Sequence, residues 1–357
     1  MASQREAIIF VHGFYLGRDR NHFIDCLSVG LTEVLEFPRI QEIGEEKITG
    51  HIGKKFKLDF GKNISKEIDV YDAYWNDLFS KPLSGSNLKT QVFRGIYILF
   101  YWFFTKNLLA LRNSPPLLIG LGTSLVLWIF WFYGIVGLAF VALGQEPSFL
   151  GFPIPEDWSK PISSFGKQMT NWSVWLIVSG IFSFVPINLI ADIADFSTRY
   201  LEENSEGKIL KAKIRKQVAD KLNAVIETGL YDKVTILAHS FGVVIATDVL
   251  ADYQEDSRVR YISMGGCLKF ISCKSRQLEK EISKCLDNEK IEAWIDFYSD
   301  QDWLCTKTPI PKKSSSEKIQ QRETRTRFSL WKQLTGESHD HYFTNEEVLK
   351  AVLNLQN

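Results

Sequence analysis

Five short apolar runs, set apart by amphipathic and polar stretches, organise the two ends of the chain. Ala7-Ile8-Ile9-Phe10-Val11 and Val234-Thr235-Ile236-Leu237-Ala238 are unbroken and partly β-branched. That is the pattern of strands buried on both faces of a parallel sheet. Arg258–Met264 and Ile291–Tyr298 read as further strands, and Ile68–Trp75 alternates toward a strand with an aromatic end, where Tyr74 and Trp75 either pack the core or line an acyl pocket. Ahead of the second run, Ile214, Val218, Leu222 and Val225 recur at helical spacing, and Gly229 stands where a helix stops.

The run ending at Ala238 passes straight into His239-Ser240-Phe241-Gly242 and reopens as the apolar helix pattern Val243-Val244-Ile245-Ala246. A serine hydroxyl becomes a competent nucleophile when a sharp strand-to-helix turn holds it beside a base and in front of backbone N–H donors. Such a turn has no room for large flanking side chains, and Ala238 and Gly242 are small. The first strand likewise runs directly into His12-Gly13-Phe14.

In these residues the chain resembles the serine lipase and esterase branch of the α/β-hydrolases. There an early strand ends in a His-Gly pair and a later one in a small-x-Ser-x-Gly elbow; Ala238 departs from the usual glycine. The resemblance implies the α/β-hydrolase fold, a mostly parallel central sheet flanked by helices. It implies Ser240 as nucleophile and the N–H groups of Phe14 and Phe241 as oxyanion donors, with His12, Gly13, His239 and Gly242 as supporting motif residues. The acid and the base are expected to follow the serine in that order. Ser299-Asp300-Gln301-Asp302 follows the Ile291–Tyr298 strand, and the family's spacing favours Asp302, with Asp300 as the alternative. Near the C-terminus, His339-Asp340-His341-Tyr342 precedes a helix that Thr344 and Glu347 mark as a capping box. A His-x-x-Tyr spacing common in such relatives selects His339 as base and leaves His341 as the alternative. The implied activity is hydrolysis of esters or thioesters through an acyl-enzyme; the expectation that the substrate is a lipid or other apolar acyl compound rests only on the membrane anchor that the middle of the chain suggests. Acyl transfer to an alcohol or amine, and a catalytically inactive binding or regulatory module on the same scaffold, are the competing readings.

The middle of the chain departs from this plan. Leu117–Leu143 and Trp172–Ile190 contain no charged residue, and the first carries Trp128, Trp131, Phe132 and Tyr133. At about 1.5 Å per helical residue the first exceeds a hydrocarbon core of roughly 30 Å. A weaker run, Gly95–Leu111, contains Lys106 and Asn107. Both flanking strands must share one sheet, so the number of membrane crossings must be even. The expectation is an α/β-hydrolase core split by a transmembrane insertion: residues 1–88, an insertion at 89–199, and residues 200–357. Within the insertion, 117–143 and 172–190 form a spanning hairpin and 95–111 an interfacial helix. Pairing 95–111 with 117–143, or burying these runs as helices of a soluble lid, are the alternatives. Basic residues outnumber those of the 144–171 loop on the catalytic side, which places that side in the cytoplasm. The stretch before the first strand is too short and polar for a signal peptide.

Charge and cysteines narrow the classes further. The chain has 42 basic and 42 acidic side chains, so no global field favours nucleic acid. Five cysteines show no metal-ligand spacing and suit a reducing compartment. No cofactor or metal is implied; the expected partners are the bilayer and a small acyl substrate. Residues 306–332 are polar and rich in Lys and Arg, reading either as a solvated loop or as a patch for anionic headgroups.

Overall fold

The computed structural model describes residues 4–14, 21–48, 51–62, 64–79, 187–201, 205–302, 307–312, 314, 317–334 and 336–355, with short pieces between 125 and 167. The chain divides into two compact units, Met1–Leu117 with Asn188–Asn357, and Leu118–Ile187. In the second, Ser148–Phe149 pairs antiparallel with Phe152–Pro153.

The first unit is α/β. Its sheet contains β1 (Gln4–Val11), β2 (Arg39–Ile48), β3 (His51–Asp59), β4 (Ser65–Asp72), β5 (Lys233–His239), β6 (Val259–Met264), β7 (Ile291–Tyr298) and β8 (Ile319–Glu323), in the spatial order β8-β7-β6-β5-β1-β4-β3-β2. β1 lies parallel to both β4 and β5, and the ladder continues parallel through β6, β7 and β8. Only β3 runs against the others, pairing antiparallel with β2 and β4.

Side chains alternate across a strand, and β1 supplies both cores. Ala7, Ile9 and Val11 face one core with α2 (Ile187–Leu201), α3 (Ser205–Glu227), α4 (Gly242–Leu250), α5 (Leu268–Ser272) and α6 (Arg276–Asp287). Ile8 and Phe10 face the other, with α1 (His22–Val29) and α8 (Glu346–Val352). A short helix, α7 (Leu330–Leu334), precedes α8. The β1 run is fully buried because it is covered on both sides.

The integral-membrane expectation is corrected. Among the described residues, no helix is long and apolar enough to cross a membrane. Residues 95–111, and most of 117–143 and 172–190, lie outside the described residues. The one long described helix that overlaps an expected span, α2, shares only 187–190 with it. It continues through Asp192, Asp195 and Arg199, and buries Phe196 and Tyr200 in the protein core. The cytoplasmic placement of the catalytic side was counted from the flanks of a spanning hairpin and loses its premise with it.

The C-terminal segment that carries His339 is tied down at its far end. Lys66 Nζ donates to the Leu353 carbonyl just past α8 at 2.8 Å and pairs with Glu6 at 2.7 Å, all three groups being buried. Burial lowers the Lys66 pKa, against the pull of Glu6. Removing one partner of a buried ion pair leaves an uncompensated charge. Lys66→Met is therefore expected to destabilise the protein by about 3–5 kcal/mol in urea unfolding, and a loss below about 1 kcal/mol would contradict the anchoring role.

Candidate active site

Because β1 and β5 are parallel neighbours with Val11 opposite Ala238, the turns that follow them emerge side by side at the carboxyl edge of the sheet. Open α/β sheets bind ligands at this edge. Ser240, half-buried, has φ +57°, in the left-handed region that costs a non-glycine residue roughly 1–2 kcal/mol. Its N–H donates to the Met264 carbonyl at the end of β6, 3.1 Å away, so the ladder grips the turn past the end of the strand. A Cβ on Gly242 would lie 2.1 Å from the Val11 carbonyl oxygen, and one on Gly13 would lie 2.7 Å from Ser240 Cβ and 3.2 Å from its Oγ. The two turns can touch only because both positions are glycine.

Beyond β7, Asp302 is fully buried, with its N–H donating to the Ser299 carbonyl at 3.2 Å. Its Oδ2 lies 2.8 Å from His339 Nδ1 and accepts from the Tyr342 hydroxyl at 3.1 Å. Asp300, two residues earlier, is exposed. The His339 ring lies over Gly265, whose Cβ, if present, would be 3.3 Å from His339 Cε1 and 2.8 Å from the Tyr342 ring. Gly265 directly follows Met264, which holds the Ser240 amide. His239 packs against the other side of this segment, with its ring 4.8 Å from that of His339 and Nε2 3.0 Å from the His339 carbonyl oxygen.

The electrostatics separate the two candidate bases. Burial is the largest influence on His339 and pulls its pKa down, but the charge and hydrogen bond of Asp302 outweigh it and the net shift is upward. With Nδ1 engaged by Asp302, the free nitrogen is Nε2, which is buried and makes no hydrogen bond among the described residues. Ser240 Oγ makes none either. Contacts of this type often tighten only when substrate is bound. His341 has neither nitrogen free, since Nδ1 meets the Ser338 carbonyl and Nε2 lies 2.8 Å from Thr324 Oγ1. Burial lowers its pKa.

The first turn is packed on every side by aromatic rings. His12 lies between Phe23 and Trp75, at 5.5 Å and 5.7 Å, and its Nδ1 is 2.7 Å from the Gly13 carbonyl oxygen. Burial pushes its pKa down to about 4, so it is neutral and donates that bond. Trp75 Nε1 donates to the His12 carbonyl at 3.0 Å, a core and bracing role for this residue. The side chains of Phe14 and Phe241 are buried. Their N–H groups find no acceptor among the described residues, leaving two backbone donors beside Ser240. Cys267 senses the Asp302 charge, but burial first of all pushes its thiol up to about 12, and it offers no competing nucleophile. Among the described residues no group of His, Cys, Asp and Glu is arranged to hold a metal ion.

Together these groups can move a proton from a hydroxyl to a neutral imidazole and stabilise a developing oxyanion. The structure brings Ser240, Gly13, Phe14, Phe241, Asp302 and His339 to one edge and leaves Asp300 in solvent. Two contributors escape the sequence reading. Tyr342 is visible there only as a spacing mark, and Phe196 lies within the 89–199 segment assigned to a membrane insertion, past its last expected span. The capping box is also displaced, because Asn345, not Thr344, accepts the Val348 N–H at 3.1 Å. Compared with family models, with curated proteins and with solved structures, the chain matches none of them.

The raised His339 pKa means that its pairing with Asp302 contributes stability fully below the ordinary histidine value, and loses it as pH rises through the folded value. Removing the Tyr342 hydroxyl takes a donor from Asp302 and leaves the carboxylate a stronger partner for the imidazolium. Tyr342→Phe is expected to raise the His339 pKa further in an NMR titration, whereas an unchanged or lowered value would remove Tyr342 from the electrostatics of the pair.

Proposed function

We propose that the first unit is a serine hydrolase that cleaves carboxylic esters or thioesters, an α/β-hydrolase in the sense of the resemblance described above. The observation that carries this reading is the left-handed Ser240 turn, packed against Gly13 on the same sheet edge as the buried Asp302–His339 pair. In the proposed reaction Ser240 Oγ passes its proton to His339 Nε2 and attacks the acyl carbonyl carbon. The oxyanion accepts from the Phe14 and Phe241 N–H groups, each such donor being worth roughly 3–4 kcal/mol of barrier. Collapse breaks the bond to the leaving alcohol or thiol, which takes the proton from Nε2. Water, deprotonated by the same nitrogen, then attacks the acyl-serine; the bond to Ser240 Oγ breaks, that oxygen takes the proton back from Nε2, and the carboxylic acid is released. Asp302 holds the imidazole tautomer and stabilises the imidazolium formed twice in the cycle.

The preference for lipid esters rested on residence in a bilayer and is withdrawn with that reading. The substrate class proposed is an acyl ester or thioester of a small molecule, with water as the acceptor.

The test is turnover of p-nitrophenyl butyrate by the full chain. Wild type is expected to hydrolyse it and Ser240→Ala to lose that activity. Asp302→Asn is expected to lower kcat by about 10⁴-fold, while the exposed Asp300→Asn changes it little; the reverse order would contradict the assignment. Activity requires the neutral imidazole, so the rate is expected to fall as pH drops through a midpoint above the ordinary histidine value of about 6.5. A flat profile from about pH 5 to 8 would exclude His339 as the base.

A further inference from the structure

We infer that Phe196, on α2, is a positioning residue that sets the spacing of the two oxyanion donors. This rests on the hydrolase reading. A backbone N–H serves a tetrahedral intermediate only when its nitrogen lies within about 2.7–3.1 Å of the oxyanion. The two donors belong to turns after different strands, so their separation depends on what packs between their side chains. Phe196 fills that space. Its ring stacks flat on Phe14 at 4.5 Å and 7°, and meets Phe241 edge-on at 4.8 Å and 71°. It is fully buried, and further ring contacts strengthen the same wall: Trp75 at 5.0 Å, which bonds the His12 carbonyl, Phe79 at 5.1 Å and Tyr200 at 5.9 Å.

A second residue of α2 reinforces the arrangement. Tyr200, at i+4 and so on the same helix face, meets Phe241 edge-on at 5.4 Å and donates to Asp248 Oδ2 at 2.8 Å on α4, the helix that the serine turn opens. Lys211 and Arg215 of α3 lie 3.3 Å and 3.2 Å from Asp248, completing the clamp on α4. One helix thus grips both turns, stacking on the first through Phe196 and holding the second through Phe196 and Tyr200. Phe196 touches neither the hydroxyl nor the imidazole in any contact above, so its effect on the reaction runs through Phe14 and Phe241.

Loss of the ring should let the donors drift while leaving ground-state ester binding intact, a loss of kcat without a change in KM. The experiment compares wild type, Phe196→Ala, Phe196→Leu and Phe56→Leu in the full chain, using p-nitrophenyl butyrate and thermal unfolding. Phe56 is equally buried but belongs to the core on the other face of the sheet. Phe196→Ala is expected to lower kcat by about 10–100-fold with KM within about twofold, and Phe196→Leu to fall between it and wild type. Phe56→Leu is expected to lower Tm while leaving kcat near wild type. An unchanged kcat in Phe196→Ala, or an equal kcat loss in Phe56→Leu, overturns the inference. If Phe196→Ala does not fold, Phe196→Leu decides by the same split between kcat and KM. A wild type without turnover overturns the hydrolase reading and this inference together, whereas an active wild type with an indifferent Phe196 overturns this inference alone.

Discussion

The close approach of two backbone turns governs this molecule. β1 and β5 lie side by side in the sheet, and the chain leaving each one bends toward the other until a single methyl group on Gly13 or Gly242 would collide. At that contact Ser240 occupies the left-handed region, and the N–H groups of Phe14 and Phe241 find no acceptor among the described residues. A tightly packed core on both faces of the sheet over-determines the strained position, which is how such strain persists in folded proteins. The proposed chemistry follows from this geometry more than from any single side chain.

Charge is rationed along the same edge. Four histidines gather there, and burial drives His12, His239 and His341 toward the neutral form. His339 alone is shifted upward, because Asp302 faces its Nδ1 and outweighs the cost of burial. Asp302 is in turn held by the Tyr342 hydroxyl as well as by the imidazole. The three neutral rings serve as shaped donors and packing surfaces, and only one ring remains suited to pick up and return a proton in the neutral range.

What the sequence revealed follows from how local each signal is. Buried strands such as Ala7–Val11 and Val234–Ala238 are short and continuous, and the small residues around Ser240 report a steric demand that acts within a few positions. The antiparallel pairing of β2 with β3 was not legible, since its exposed edge positions mix charges with isolated apolar residues such as Ile43 and Ile52. β8 was hidden in a basic stretch for a similar reason: among the described residues it pairs on one side only and buries little beyond Ile319. The roles of Phe196 and Tyr342 were invisible because each depends on partners far away in sequence. The uncharged runs 117–143 and 172–190 suggested membrane spans, yet among the described residues no helix is long and apolar enough to cross a membrane, and the helix that continues from 187 past the second run buries Phe196 and Tyr200 in protein.

Everything proposed for this site depends on the Ser240 turn making an activated nucleophile. The most direct measurement is reaction of the native full chain with a fluorophosphonate, in which an activated serine oxygen displaces fluoride at phosphorus, followed by peptide mapping of the adduct. One phosphonyl group is expected on Ser240, and none when the protein is unfolded before exposure to the reagent. Native protein that carries no adduct, or carries it on another residue, would show that Ser240 is not an activated nucleophile.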